Sequence, residues 1–342
     1  MTGDALSLAA FLDEYFGDHQ PALVEPMLGG GSCEIFAVRR GGANWVLRRA
    51  PGFASSSTAH DVLREFRVLD AIKDERVAIA RPVLSCADAG VFGGPFYVME
   101  HIDGVPIRSS VPAAWAAIPD THGAALEQLI DAIVDVHAVD WQACGLAYMA
   151  RPERYLERQI ERWRSQLHSY GGRELPIADG LSVWLDANRP ADKPLALCHG
   201  DYKLDNVLFA LDAPPRLMAI VDWEMASISD PLVDLAWALI FHPSGTMPLG
   251  MAKEPVFARD HLPSRAALID RYEQRSGRSA HDIEWYDVFA RWKLAIVLEG
   301  SYAKFLRGQS SKPVHEYFGR QADRLLASGS ELVGNPTKEF DR

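Results

Sequence analysis

The sequence predicts an α+β fold of two unequal lobes: a small β-rich N-lobe over residues 1–102 and a large, mainly helical C-lobe over residues 103–342. Three observations point to it. The chain has 342 residues, 48% of them hydrophobic, enough to bury a core in each of two units. Between residues 22 and 102 the apolar residues fall in short strand-length runs around one helical stretch. Beyond Asp103 they recur at helical spacing over long segments.

In chain order, Leu8, Phe11, Leu12, Tyr15 and Phe16 give a short amphipathic helix over residues 5–16. Glu34 to Val38 and Asn44 to Arg48 read as strands joined by a turn at Arg39-Arg40-Gly41-Gly42. A helix around His60 to Lys73 sets Val62, Phe66, Leu69 and Ile72 on one face, and strands follow near Pro82 to Ala87 and Phe96 to Glu100. The C-lobe opens with amphipathic helices over Ala125 to His137, Pro152 to His168 and Ile177 to Ala187. Short strands then fall at Ala196 to Cys198, Asn206 to Phe209 and Met218 to Val221. Helices resume at Leu232 to Phe241, Ser264 to Arg275, Ile283 to Leu306 and Val314 to Leu326. His242 to Pro263 has no period and reads as a long loop of the kind that carries function. The polar tail from Gly329 reads as frayed. A cleft between the lobes is expected near residue 102.

The formal charge of −11 argues against a nucleic-acid partner, which needs a basic stripe against phosphates. Cys33, Cys86, Cys144 and Cys198 are widely spaced, which reads as reduced thiols in a cytoplasmic protein. The N-terminus lacks a basic n-region, and the apolar run Leu235 to Phe241 is too short to span a bilayer. Neither a membrane nor a nucleic acid is therefore expected as a partner, and monomer and dimer stay open.

The strongest local signal is His199-Gly-Asp-Tyr-Lys-Leu-Asp-Asn206, followed by Ile220-Val-Asp-Trp-Glu224. A lone Asp in a turn is usually a cap. An Asp and an Asn five residues apart, with an Asp at the end of an apolar strand some twenty residues on, match the catalytic loop and metal-binding segment of phosphoryl-transfer enzymes. Asp201 is then the catalytic base and Lys203 reaches the transferring phosphate. Asn206 and Asp222 offer the hard oxygen ligands that Mg²⁺ prefers.

With these residues, and with Asp230-Pro-Leu-Val-Asp-Leu-Ala236 and Trp292-Lys-Leu-Ala295, the sequence resembles the aminoglycoside phosphotransferase family. That family is a branch of the kinase-like superfamily that also holds choline and fructosamine kinases. Within it, the chain looks most like the group related to the kinase-like domain fused to some acyl-CoA dehydrogenases. The likeness runs from about Leu23 to Gln321. It implies a protein-kinase-like fold, ATP and Mg²⁺ as cofactors, and a small-molecule hydroxyl as acceptor.

The resemblance also implies a nucleotide site in the N-lobe. Gly29, Gly30, Gly31 and Ser32 stand where a glycine-rich loop would cover the phosphates, although a glycine triplet also fits an ordinary turn. Trp45-Val-Leu-Arg48 stands where the family has a strand ending in a phosphate-binding lysine. The basic residue here is arginine, a planar fork in place of a compact ammonium. Period-two alternation selects Arg48 over Arg49, with Glu65 as its partner or, alternatively, a solvated helical charge. Met99 would lie beside adenine, and Glu100 and Ile102 would contribute main-chain groups. His199 is expected to organise the turn, and Asp230 and Asp234 to cap and brace the helix that follows. Trp223, Trp292 and Glu299 are loose candidates for the acceptor wall.

A nucleotide-binding regulatory pseudokinase is the alternative, but it predicts damage at Asp201, Asn206 or Asp222, and all three are present. A protein kinase is disfavoured because Asp222 is followed by Trp-Glu and no activation segment is recognisable. A hydrolase lacks its Gly-x-Ser-x-Gly or His-Glu-x-x-His motif. The acceptor is read as a metabolic hydroxy compound rather than an antibiotic.

Overall fold

The computed structural model describes residues 3–27, 33–50, 61–115, 118, 120–242, 257 and 262–334. The N-terminal region is built on an antiparallel sheet of β1 (Ala22–Pro26), β2 (Glu34–Arg40), β3 (Ala43–Arg49), β4 (Pro82–Cys86) and β5 (Phe96–Glu100), ordered β1-β2-β3-β5-β4. Gly41 and Gly42 close the β2–β3 hairpin at φ of +56° and +84°, a conformation glycine adopts without strain. Alternation along β3 sends Leu47 to one face and Val46 and Arg48 to the other. The outer face packs under α1 (Gly3–Phe16), whose Leu8 and Leu12 meet Val38, Leu47, Phe96 and Val98, with α3 (Ala89–Phe92) beside it. The inner face packs against α2 (Val62–Ile72), capped by Asp61, whose side chain accepts the Arg64 amide at 2.9 Å.

The remainder is mostly helical. Short strands β6 (Val105–Pro106), β8 (Val207–Phe209) and β9 (Leu217–Ile220) form one sheet, and β7 (Ala196–Cys198) pairs with β10 (Ser227–Ser229) in another. Around them lie α4 (Thr121–His137), α5 (Tyr155–Ser169), α6 (Pro176–Ala187), α7 (Pro231–Ile240), α8 (Arg265–Ser276), α9 (Ile283–Leu306) and α10 (Pro313–Gly334). Helix α9 is buried on most sides along its first half, as expected of a helix with no polar face there. One apolar cluster joins α2 and the inner sheet face to this region, taking in Val46, Leu69, Ile220, Trp223, Phe289 and Trp292. A second tie lies close to Asp222, where the Ile220 amide donates to the Ala78 carbonyl at 2.7 Å.

The kinase-like two-part fold agrees with the sequence expectation, and the differences have local reasons. Strands β1, β6 and β10 escape a pattern reading: β1 is an edge strand ending in proline, β6 is two residues with a proline, and β10 has one apolar residue between two serines. Helix α10 continues to Gly334 instead of fraying at Gly329. The small residues there permit close packing: a Cβ on Gly329 would lie 3.2 Å from Leu181 Cδ1. Gly300 on α9 is tighter still, since a Cβ there would fall 2.6 Å from the Tyr170 ring. Gly300→Ala is therefore expected to lower stability by about 1–3 kcal/mol through overpacking, read as a reduced midpoint in denaturant. An unchanged midpoint would mean Tyr170 can move aside freely.

Candidate active site

Strand β7 delivers the chain into the turn His199 to Asn206. Gly200 takes φ of +87°, and a Cβ there would run into the Met225 carbonyl oxygen, so this position requires glycine. The turn is held from below by Asp234 of α7. Its carboxylate accepts the His199 amide at 2.5 Å and the Gly200 amide at 2.8 Å. Asp230 caps α7 through the Leu232 amide and accepts the Tyr286 hydroxyl at 2.5 Å. So Asp230 caps as the sequence suggests, whereas Asp234 braces the His199–Asn206 turn rather than its own helix.

His199 is fully buried. Its Nε2 lies 3.0 Å from the Val221 carbonyl, which can only accept, so Nε2 carries the proton and Nδ1 accepts the Asp201 amide at 3.3 Å. Burial holds the ring's pKa below its ordinary value, against the pull of Asp234 and Asp201. The neutral ring thus ties the turn to the strand end that precedes Asp222.

Three donors converge on the Asp201 carboxylate, one on Oδ1 and two on Oδ2. Trp237 Nε1 donates to Oδ1 at 2.9 Å, Asn206 Nδ2 donates to Oδ2 at 2.8 Å, and the Lys203 ammonium also bonds Oδ2. Burial opposes its ionisation, but the charge and hydrogen bond of Lys203 outweigh burial and hold it below the usual carboxylate range. Asn206 spends its amide nitrogen on Asp201, which leaves its Oδ1 without a protein partner among the described residues. Its carbonyl accepts the Val221 amide at 2.9 Å, so Asp222 follows directly. Asp222 adopts φ of +69°, uncommon for a residue with a side chain and a conformation that clusters at functional sites.

Arg48 reaches this group from β3. Its Nη2 donates to Asp222 Oδ1 at 2.8 Å, and its Nε lies 3.3 Å from Glu65 Oε2. Glu65 also accepts the Trp223 amide at 2.9 Å, so it is a buried bridge and not a solvated charge. Burial pushes its carboxyl up to about 7, against the attraction of Arg48. Arg49 faces away, toward Glu34 and the Phe92 carbonyl. Met99 is buried on β5. The Glu100 amide is taken by the Arg81 carbonyl at 2.9 Å and the His101 amide by Asn44 at 3.1 Å, while the Ile102 amide donates to no group among the described residues. Glu100 therefore cannot offer its amide to a ligand. Gly29, Gly30, Gly31 and Ser32, and most of the loop from His242 to Pro263, lie outside the described residues.

The loose acceptor candidates face the core instead. Trp223 donates its indole to the Ile220 carbonyl, Trp292 to the Ala178 carbonyl, and Glu299 is paired with Arg173. What pattern reading missed is Trp237 and Lys293. Lys293 Nζ sits 4.3 Å over the Trp237 ring and 3.4 Å from the Gly200 carbonyl; its only signal was the Trp292-Lys-Leu-Ala295 motif. His137, Cys198 and Asp234 also converge within 4.8 Å. Burial raises the Cys198 thiol far above its ordinary pKa, and Asp234 already serves two amides, so this trio reads as internal bracing.

A kinase-like fold carrying this turn, an apolar strand ending in Asp222 and an Arg–Glu bridge defines a phosphotransferase. The chain belongs to the phosphotransferase enzyme family, whose profile matches residues 24–286. Acyl-CoA dehydrogenase family member 11 of Rattus norvegicus is 31% identical over 340 residues, which covers 96% of this chain and 43% of that protein. The chain thus spans less than half the length of that relative. A protein from Ralstonia eutropha JMP134, described provisionally as an aminoglycoside phosphotransferase, is 30% identical with a TM-score of 0.82, over 95% of this chain and 97% of its own. The GDP complex of aminoglycoside 2'-phosphotransferase-IIIa, at 18% identity and a TM-score of 0.60 over 96% and 98% of the two chains, shares the fold. Phosphoryl transfer is the chemistry of the family to which the chain belongs. No helix among the described residues is long and apolar enough to cross a membrane.

Because Asp234 satisfies two buried amides at once, Asp234→Ala leaves both unpaired. It is expected to destabilise the fold by about 2–5 kcal/mol and to remove turnover. Retention of wild-type activity in this variant, measured beside its melting curve, would show that the turn holds its shape without the carboxylate.

Proposed function

We propose that the chain is a magnesium- and ATP-dependent kinase of a small metabolic hydroxy compound, with Asp201 as the group that orients the acceptor hydroxyl and takes its proton. The observation that supports this most directly is the donor set on Asp201. Asn206, Trp237 and Lys203 fix its two oxygens. A carboxylate so held is a weak base but a rigid acceptor for an incoming hydroxyl. That suits a loose transition state, in which positioning matters more than early proton removal.

The donor set beside it fits magnesium. Asn206 Oδ1 and the Asp222 carboxylate are hard oxygens on adjoining chain positions across the β8–β9 pair. When bound, magnesium–ATP supplies the phosphoryl group and neutralises its charge. Lys203 is set to follow the transferring phosphoryl group, and Arg48, positioned by Glu65, to face the other phosphates. The Ile102 amide and the Glu100 carbonyl are the main-chain groups we assign to the adenine edge, with Met99 beside the ring. Gly29, Gly30, Gly31 and Ser32 we assign to the phosphate-covering loop. In the transfer, the acceptor oxygen forms a new P–O bond, the bond from phosphorus to the ADP oxygen breaks, and the hydroxyl proton passes to Asp201. We assign the protein to the cytoplasm, where widely spaced cysteines stay reduced.

Asp201→Ala is expected to lower kcat by about 10²–10⁴-fold while nucleotide affinity, measured by calorimetry with magnesium, stays near that of the unmodified protein. Asp222→Ala is expected to weaken magnesium–ATP binding itself. Near-normal turnover by the Asp201 variant would end the role given to that residue.

A further inference from the structure

A cavity of about 660 Å³ adjoins the His199–Asn206 turn, walled by α5, the loop before it, residues 224–228 and Lys293 of α9. That volume is in the range of small-molecule sites. Its charged lining is mainly basic: Arg151, Arg158, Arg162 and Lys293, with Arg64 at the α2 edge. The carboxylates on the wall are Glu161 and Glu224. Arg64 has its own work, donating to the Glu224 and Ala226 carbonyls and so tethering that wall.

The other four cations make lighter contacts. Arg158 donates to the Arg151 carbonyl, and the Arg162 guanidinium lies 5.3 Å from the Trp163 ring centroid. Lys293 is only 8% exposed and sits between the Trp237 and Trp163 rings, at 4.3 and 5.5 Å. Among the described residues none of Arg151, Arg158, Arg162 and Lys293 forms an ion pair with a carboxylate. Burial pulls the Lys293 pKa down, against the attraction of Asp234 and Asp201. A desolvated cation without a counterion is costly, and the chain as a whole is acidic, at −11. Positive charge left unmatched at one cavity is therefore a feature of that cavity and not of the composition.

Two wall residues tie the cavity to the reacting centre. Lys293 bonds the Gly200 carbonyl and lies over the ring of Trp237, whose indole holds Asp201, and Met225 packs against Gly200. Arg158 and Arg162 stand one turn apart on one face of α5, and guanidinium forks match the geometry of carboxylate and phosphate oxygens.

We propose that the acceptor is a hydroxy compound bearing an oxyanion, carboxylate or phosphate, and that Arg158, Arg162 and Lys293 hold this anion so that the hydroxyl reaches Asp201. This rests on the kinase reading above. It makes a polycationic aminoglycoside a poor acceptor, because its ammonium groups would meet these cations at close range.

The test compares ATP turnover with matched acceptors: hydroxybutyrate isomers and glycerol 3-phosphate as anions, butanediol and glycerol as neutral counterparts, kanamycin and choline as cations. An anion is expected to exceed its neutral counterpart in kcat/KM by about 10-fold or more, the worth of one good charge-assisted contact. The carboxylate and phosphate arms tell which oxyanion is taken. The double variant R158E/R162E should erase that preference while leaving the KM for ATP unchanged, and R158Q/R162Q guards against a folding defect. Preference for a neutral or cationic acceptor, or an anion preference that survives both double variants, overturns the proposal. Calorimetry with glycerol 3-phosphate and hydroxybutyrate on the Asp201→Ala protein separates the two readings. Anion binding there, lost in R158E/R162E, supports the cavity whether or not ATP is consumed. Absence of anion binding while magnesium–ATP binds normally overturns the cavity and leaves the kinase reading standing.

Discussion

The carboxylate of Asp234 sits under the whole arrangement of the site. Two consecutive backbone amides, His199 and Gly200, converge on it, which an extended strand, with its alternating amides, does not allow. Gly200 supplies the turn through its positive φ. Once it is fixed, His199 has no freedom: one ring nitrogen faces the Val221 carbonyl and the other receives the Asp201 amide. The buried carboxylate stays ionised against desolvation because the His137 side chain and the two amides stabilise its charge, and its pKa is held below the ordinary value. An ionised acceptor makes the stronger hydrogen bonds, so the charge is what makes the turn rigid.

From that turn the remaining groups are placed by short covalent and ladder connections. Asn206 ends the turn and opens β8, β8 pairs with β9, and β9 runs into Asp222. Few torsions separate the proposed orienting carboxylate from the two oxygen ligands assigned to the metal, so little positional error accumulates. The N-terminal sheet joins through longer-range contacts. Arg48 crosses from β3 to Asp222 and Glu65, and Glu65 returns to the Trp223 amide. The loop of contacts closes on residues adjacent in sequence, Asp222 and Trp223. A movement of α2 would thus be felt at the segment assigned to the metal, since Glu65 cannot shift without releasing either the amide or the guanidinium.

How much of this was readable in advance depends on whether the signal is local. The turn from His199 to Asn206 and the strand end at Asp222 are short contiguous patterns, and both stand out in the bare sequence. Alternation along β3 was enough to choose Arg48 over Arg49, since one residue of shift exchanges the faces of a sheet. Glu65 was harder, because on a helix with an apolar stripe a glutamate beside that stripe reads equally as solvated. Trp237 and Lys293 were out of reach of pattern reading. Trp237 lies 36 residues along the chain from Asp201, and Lys293 lies 93 from Gly200, both inside helices whose apolar residues suggest only core. The basic cavity is likewise assembled from α5, residues 224–228 and α9, and no stretch of sequence announces it.

The arginine at position 48 has a physical reason to stand where the family usually has lysine. An ammonium is a compact point charge that can serve one partner well, whereas a guanidinium presents donors in several directions at once. Arg48 uses this: Nη2 serves Asp222 while Nε faces Glu65. Glu65 is deeply buried and costly to ionise, and its carboxyl is raised to about 7 by burial even with Arg48 beside it. A fork that spans both carboxylates keeps the bridge closed when no other cation is at Asp222. Binding of a cation at Asp222 would compete for the oxygen that Arg48 holds and free part of the guanidinium for phosphate oxygens, which it can meet with two parallel bonds. The arginine therefore accounts for the joining of Asp222 and Glu65 through one side chain.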